Sequence, residues 1–249
     1  MHFDIKSGEQ QTQLTKAILL YETRRDDYSS QTAYASLHDV MNTGTKANPN
    51  VQIMAGTPIT QEALLALMGS LGERYILNTE LLPESVLSFS PLHLVWWMPA
   101  CKKRVFFDNK ELGKRSAIVP HPALLFVVVG REWLIFAMKG NNRPTKNTPL
   151  FHAPYFNVYD NGNICAGTAE IPDRLSTSAI PTWENAFFES AFTHVNGEIR
   201  KVSHPKGEYA FWKEMLDNKY EKFPVKFLVD SNQTLHSVMR SLQNQIGRQ

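Results

Sequence analysis

The residues best placed to do chemistry are Asn157 and Cys165, with the run Asp160-Asn161-Gly162-Asn163-Ile164 between them. Cysteine is the strongest ordinary side-chain nucleophile at neutral pH, because a fraction of it is thiolate. The Asp-Asn-Gly-Asn run signals a turn, with glycine where a positive φ costs least. A thiol on a turn stays reachable, whereas one inside an apolar strand does not. A carboxamide N–H beside that thiol could stabilise the oxyanion formed when the sulfur attacks a carbonyl. The same residues also fit a quiet role, as a small buried side chain at 165 and a loop-capping asparagine at 157.

The chain has two cysteines, Cys101 and Cys165, too few for a disulfide framework or an all-cysteine metal site. Either both are inert core residues or one of them does chemistry. Cys101 lies beside Lys102-Lys103-Arg104, cations that favour a thiolate. It follows an apolar strand, however, and packing at the strand end is the expectation there. No histidine pair has the i, i+4 spacing of a helical zinc site, and there is no Cys-x-x-Cys. His121-Pro122 and His204-Pro205 stand isolated, and Gly140-Asn141-Asn142-Arg143 has too few glycines to cradle a phosphate. No metal and no cofactor is expected on this chain.

The elements that must position these residues can be read from pattern. Residues 14–21 read as a strand, followed by a turn-rich loop at 42–50. A helix starts at Thr60 as N-cap, with Glu62 in its first turn. Leu64, Leu65, Met68 and Leu71 recur at helical spacing as a core stripe, and Gly72 ends it. Strand-like segments follow at 86–90, 92–98, 104–107, 123–129 and 132–138. Gly130-Arg131 reads as a tight hairpin turn. Together these predict an antiparallel meander buried on at least one face. Trp96 and Trp97 cannot share a face of a regular strand, so one of them is expected as a surface anchor.

Past a polar loop at 139–148 lies the irregular, aromatic-rich stretch 149–168, of a kind that often carries function. Trp183, Phe187, Ala191 and Val195 fall four apart and predict a helix, and Tyr209, Trp212, Met215 and Leu216 a second. Residues 223–229 read as extended. The tail from Ser231 contains no acidic residue, and its Leu235, Val238, Met239 and Leu242 suggest a basic amphipathic helix, expected to be solvated.

Bulk composition bounds the rest. The 249 residues are 43% hydrophobic and 20% charged, which excludes a wholly disordered chain. Lys and Arg number 26 against 24 Asp and Glu, a net charge of +2, so a strongly basic nucleic-acid or anionic-membrane protein is not expected. The longest apolar run, 123–129, is far short of the roughly 20 residues a membrane helix needs. Residues 1–10 lack the apolar core of a signal peptide. The reading is a soluble, cytoplasmic α+β protein. Its divisions are an N-terminal extension or small subdomain at 1–55, a main domain at 56–230 and a basic tail at 231–249.

The Asn157–Cys165 motif resembles that of ubiquitin-conjugating enzymes. These carry His-Pro-Asn, seven residues, then the catalytic cysteine, closing with Asn-Gly-x-Ile/Val-Cys. Here seven residues separate Asn157 from Cys165, and the motif closes with Asn161-Gly162-Asn163-Ile164-Cys165. The order of elements over residues 55–200 matches as well, down to a helix opening with Trp183-Glu184-Asn185-Ala186. Two departures stand out. Tyr155-Phe156 replaces His-Pro, and 17 residues separate Cys165 from Trp183, implying an insertion at 170–181. The whole chain is similar to a divergent bacterial branch, the B-protein family of the PRTRC cassette, classed as prokaryotic ubiquitin-conjugating-like family D. That resemblance is carried by Arg143-Pro144, Thr148-Pro149-Leu150, the stretch from Ala153 to Val158, Gly162-Asn163-Ile164-Cys165, Phe187-Phe188-Glu189-Ser190 and Phe192-Thr193-His194.

The resemblance implies a ubiquitin-conjugating fold, an antiparallel meander flanked by helices, and transthiolation as the activity. Cys165 would take a modifier's C-terminal acyl group from an activating enzyme and release it to an amine, with Asn157 holding the oxyanion. Asp160 and Glu170 would be the candidates to orient or deprotonate that amine. His194, placed on the helix after the insertion, is an acid–base candidate with an ordinary helix-end histidine as the alternative. His152, three residues upstream of Tyr155, is a further candidate rather than a direct substitute for the missing histidine. The implied partners are a ThiF-type activating enzyme, a small ubiquitin-like modifier and a JAB-type peptidase, in a plasmid-borne or mobile system. The competing reading is an inactive binding module of the same fold. A third, a DNA-associated plasmid-maintenance role, rests on the cassette and the basic tail, and the near-neutral charge argues against it.

Overall fold

In the computed structural model the chain divides into two compact units, residues 1–79 and 80–249. The structure describes residues 14–24, 30–43, 50–60, 62–64, 82–130, 132–167, 169–173 and 175–246. In the first unit β1 (Lys16–Arg24), β2 (Ser30–Asn42) and β3 (Val51–Pro58) form an antiparallel sheet in the order β1-β2-β3. The loop expected at 42–50 is the β2–β3 connection. Neither β2 nor β3 was expected, and β3 is exposed along its whole length, so it carries no buried alternation to read. Ser36 and His38 are buried on β2. His38 Nε2 lies 2.6 Å from Ser36 Oγ and Nδ1 lies 2.7 Å from the Met54 carbonyl. A side chain at Gly56 would meet that ring at 2.3 Å, so only glycine admits it.

Thr60 caps the start of a helix as expected: its hydroxyl accepts from the Ala63 N–H at 3.1 Å, and its carbonyl from the Leu64 N–H at 3.0 Å. Leu64 is exposed there, while Leu65, Met68, Leu71 and Gly72 lie outside the described residues.

The second unit contains β4 (Val86–Ser90), β5 (His93–Met98), β6 (Lys102–Asn109), β7 (Gly113–Pro120), β8 (Ala123–Val129), β9 (Glu132–Met138), β10 (Pro149–His152), β11 (Ala191–Phe192) and β12 (Asp230–Thr234). Its helices are α1 (Ile180–Phe188), α2 (Gly207–Leu216) and α3 (Leu235–Ile246). Six strands make an antiparallel sheet in the order β12-β10-β9-β8-β5-β4. The Gly130 turn joins β8 to β9 with φ +54 and Val129 opposite Glu132, the two-residue connection that the sequence signals.

The β6–β7 hairpin leaves the meander between β5 and β8. It forms a second sheet in the order β11-β6-β7, with β11 parallel to β6. β7 was not expected, because its first half is polar and its residues up to Ile118 are exposed or half-buried. Pairing of Ala191 with Phe106 also corrects the expected helix through Val195: α1 stops at Phe188 because the chain turns to join this sheet. A 3₁₀ turn, Val225–Phe227, likewise interrupts the stretch expected to be extended at 223–229.

Every residue of β8 is buried, so the large sheet is covered on both faces. One face joins Trp96, Phe126 and Ile135 to Trp183, Phe187, Trp212 and Met215 from α1 and α2. The other joins Trp97, Leu125 and Val127 to Leu235, Val238 and Leu242 of α3. This corrects two expectations. Trp96 and Trp97 do point to opposite faces, yet both are buried. The terminal helix is not simply solvated: it buries its apolar stripe on the sheet, at about 2 kcal/mol for each large aliphatic side chain.

Candidate functional site

Residues 157–165 fold back on themselves as a narrow hairpin. The Cys165 N–H donates to the Asn157 carbonyl at 2.7 Å, and the Tyr159 N–H to the Asn163 carbonyl at 2.8 Å. Val158 and Ile164 bridge between these pairs. The Gly162 N–H closes the turn on the Tyr159 carbonyl at 2.9 Å. Gly162 has φ +89, and a Cβ there would meet the Phe136 ring at 2.9 Å, so glycine is required on both counts. The hairpin is moored to β9 by the Ile135 N–H on the Gly162 carbonyl and the Ile164 N–H on the Trp133 carbonyl, at 2.9 and 2.7 Å.

Asn157 staples this hairpin to the segment after α1. Its backbone has φ +58, a left-handed conformation that asparagine tolerates better than most residues. Its N–H donates to the His194 carbonyl at 3.0 Å, and Nδ2 donates to the Ala191 carbonyl at 2.8 Å. Oδ1 accepts from both the N–H and the hydroxyl of Thr193, each at 3.2 Å. Among the described residues the second Nδ2 proton has no partner.

The staple opens a groove of about 770 Å³ lined by Asn157, Cys165, Glu170, Asn185, Glu189 and His194, among smaller residues. Asn157, Cys165, Glu170 and His194 therefore come together. His194 does so from the loop after β11, not from a helix, and its Nδ1 lies 2.8 Å from the Thr193 hydroxyl. Asn185 and Glu189, from the exposed side and end of α1, escape the sequence reading. Their signal was the polar face of a helix adjoining the cysteine.

Asp160 and His152 stand elsewhere. Asp160 lines a different depression, with Trp133, Tyr159 and Gly197. Its carboxylate accepts from the Glu198 and Ile199 N–H groups at 2.8 and 3.2 Å and pairs with Lys201 at 3.3 Å. Desolvation is the largest single influence on it and pushes its pKa up. The two backbone donors and Lys201 together outweigh that and hold it below the usual carboxylate range. Asp160 thus anchors the 197–201 loop, and a Cβ at Gly197 would meet its Oδ1 at 2.0 Å. His152 closes β10, buried, with its N–H on the Val229 carbonyl at 2.9 Å. Burial, then Lys201, pushes its pKa down.

Tyr155 and Phe156, which stand where the resemblance leads one to expect His-Pro, are core aromatics. The Tyr155 hydroxyl lies 2.8 Å from His121 Nδ1, and His121 Nε2 lies 3.2 Å from the Lys103 carbonyl. Only a protonated Nε2 can bond a carbonyl, so in the neutral ring Nδ1 accepts the phenol proton. Burial pushes His121 down to about 4 and the Tyr155 phenol well above its ordinary range. The segment expected as an insertion at 170–181 runs into α1 through the 3₁₀ turn Thr177–Ala179. Ser176 Oγ accepts from the Ser178 N–H there at 3.2 Å.

The sequence model of prokaryotic E2 family D matches residues 63–231. The chain belongs to that family. Membership places it among ubiquitin-conjugating-like proteins, and the α+β architecture, mostly antiparallel sheet with a few helices, is consistent with that fold. No curated protein and no solved structure matches the chain. Among the described residues no helix is long and apolar enough to cross a membrane, and no group of three or more His, Cys, Asp or Glu could hold a metal ion.

Proposed function

We propose that this family member is a ubiquitin-conjugating-like enzyme that carries a ubiquitin-like modifier as a thioester on Cys165. The observation that supports it most is the shared groove of Asn157 and Cys165, on a chain of the prokaryotic E2 family D. The Cys165 thiolate attacks the thioester carbonyl on a ThiF-type activating enzyme, and the acyl carbon–sulfur bond to that enzyme breaks. The modifier then stays on Cys165 until an amine nitrogen attacks the thioester carbonyl, the carbon–sulfur bond breaks and the Cys165 thiolate leaves. The second Nδ2 proton of Asn157 points to the oxyanion role, and Glu170, Glu189 and His194 are the groove groups able to accept the amine's proton. In this reading residues 1–55 extend a conjugating domain of 56–230, and the partners are those of a PRTRC-type cassette.

A second reading has one observation in its favour. Both heavy atoms of the Asn157 carboxamide already have structural partners, as they would in a binding module without chemistry. Incubation with activating enzyme, modifier and ATP separates the two. An adduct that collapses on adding excess thiol supports the enzyme, and its absence from an activating enzyme that is itself charged supports the module.

A further inference from the structure

The Asn157 carboxamide has two donors on Nδ2 and two lone pairs on Oδ1. Its neighbours fix which end is which. Nδ2 meets the Ala191 carbonyl at 2.8 Å, which can only accept, and Oδ1 meets the Thr193 N–H at 3.2 Å, which can only donate. A flipped amide would set oxygen against oxygen and N–H against N–H, so the network assigns the orientation. The Thr193 hydroxyl then fills the second lone pair of Oδ1, also at 3.2 Å. Three of the four capacities are spent. The one left is an N–H, of the sign that a developing oxyanion needs.

The clamp is itself held. Ala191 and Phe192 pair with Phe106 and Phe107 of β6, and Phe192 is wholly buried. Thr193 follows directly and is exposed, so packing does not dictate the place of its side chain. Its hydroxyl also lies 2.8 Å from His194 Nδ1. A hydroxyl has one proton, and with that proton on Asn157 the oxygen accepts from the Nδ1–H of His194. The chain then runs from His194 through Thr193 to Asn157, each bond polarising the next. All three residues line the groove that holds Cys165. We propose that Thr193 is a positioning residue for acyl transfer: its hydroxyl closes the acceptor side of the Asn157 carboxamide and leaves the free Nδ2–H as what that amide offers the oxyanion formed at Cys165. This rests on the reading of Cys165 as the acyl carrier. Without the hydroxyl, Oδ1 keeps a free lone pair in the groove where negative charge develops, and two bonds instead of three hold the amide.

Two reactions of the same thiol test this. Phenyl thioacetate acylates it. Sγ bonds the acetyl carbon, an oxyanion forms, and the carbon–sulfur bond to thiophenolate breaks; the electron pair leaves with thiophenolate and the thiol proton passes to buffer. Iodoacetamide alkylates it by displacing iodide, and no oxyanion forms. Both rates are read by mass spectrometry on the peptide carrying Cys165, with Cys101 scored separately as a report on the fold. Thr193→Val exchanges the hydroxyl for a methyl of similar size. It should slow acylation about fivefold, as expected for one lost hydrogen bond, and leave alkylation unchanged. Thr193→Ser should restore the wild-type rate. Asn157→Gly, which suits the backbone at φ +58, should slow acylation about a hundredfold, and adding Thr193→Val to it should slow it no further. Wild-type acylation in Thr193→Val overturns the proposal. So does a parallel fall of both reactions, a fall that serine does not reverse, or one that persists without the Asn157 side chain. Neither reaction needs modifier or activating enzyme. Normal modifier thioester beside an inert Thr193→Val thus sinks the role of Thr193 alone, and slowed acylation without any modifier thioester sinks the carrier reading alone.

Discussion

Cys101 and Cys165 are both half-buried thiols, so exposure does not separate them. Their neighbours do. Cys101 packs against the main core, with Sγ 3.9 Å from Met98 Sδ and its carbonyl accepting the His121 N–H at 2.7 Å. Burial is the main influence on it and pushes the thiol up; Lys103 pulls the other way and Glu184 reinforces the rise. Lys103, one of the cations that seemed in sequence to activate Cys101, is drawn instead to Glu184 at 2.8 Å. Cys165 lines an open groove that it shares with Asn157, and no hydrogen bond to its sulfur is found among the described residues. A cation adjacent in sequence counts for little once a carboxylate elsewhere in the fold draws it away.

The largest way to break this contrast is to delete each thiol. Cys165→Ala should abolish the thiol-sensitive adduct while Cys101→Ala leaves its yield intact, read on a non-reducing gel. Loss in both, or in neither, removes the distinction.

The wall behind Cys101 gives the next effect. Free in the unfolded chain, His121 binds a proton below about pH 6.5, but the folded protein refuses it until about 4. The unfolded state therefore binds more protons in that window, and stability falls as pH drops from 6.5 towards 4 and levels off below. The loss should reach about 3 kcal/mol, measured by urea unfolding across that range. Thioester yield at constant folded fraction should not follow it.

At pH 7 Cys101 should alkylate more slowly in the folded protein than in the urea-unfolded chain, since a thiol raised by burial holds less thiolate, and more slowly than Cys165. Equal rates in the folded protein would erase the comparison. Last, Tyr155→Phe leaves the Nδ1 acceptor of His121 buried without a donor and should cost about 1 kcal/mol of stability. Charging of Cys165 should survive it, because Tyr155 is wholly buried and does not line the groove.

The hairpin that presents Cys165 was legible because its signals are local. Asn161-Gly162 demands a turn, and the spacing of Asn157 and Cys165 then sets them opposite one another. Asp160 was misplaced as an amine-orienting acid because its partners are the N–H groups of Glu198 and Ile199, nearly forty positions on, and no local pattern announces them. His194 was assigned to a helix because Ala191 and Val195 kept the helical spacing; a two-residue strand pairing with β6 overrode it. The two tryptophans at 96 and 97 show the same limit. Alternation gave their directions, but only the fold reveals that α3 covers the second face.

The most direct test of the central claim exchanges one atom. Cys165→Ser, incubated with the activating enzyme, modifier and ATP, should accumulate an ester that resists thiols and yields to alkali. Mass spectrometry should place one modifier on the peptide carrying position 165. An adduct of the same mass on another peptide, or one that still forms in Cys165→Ala, would contradict the assignment of Cys165 as the acyl carrier.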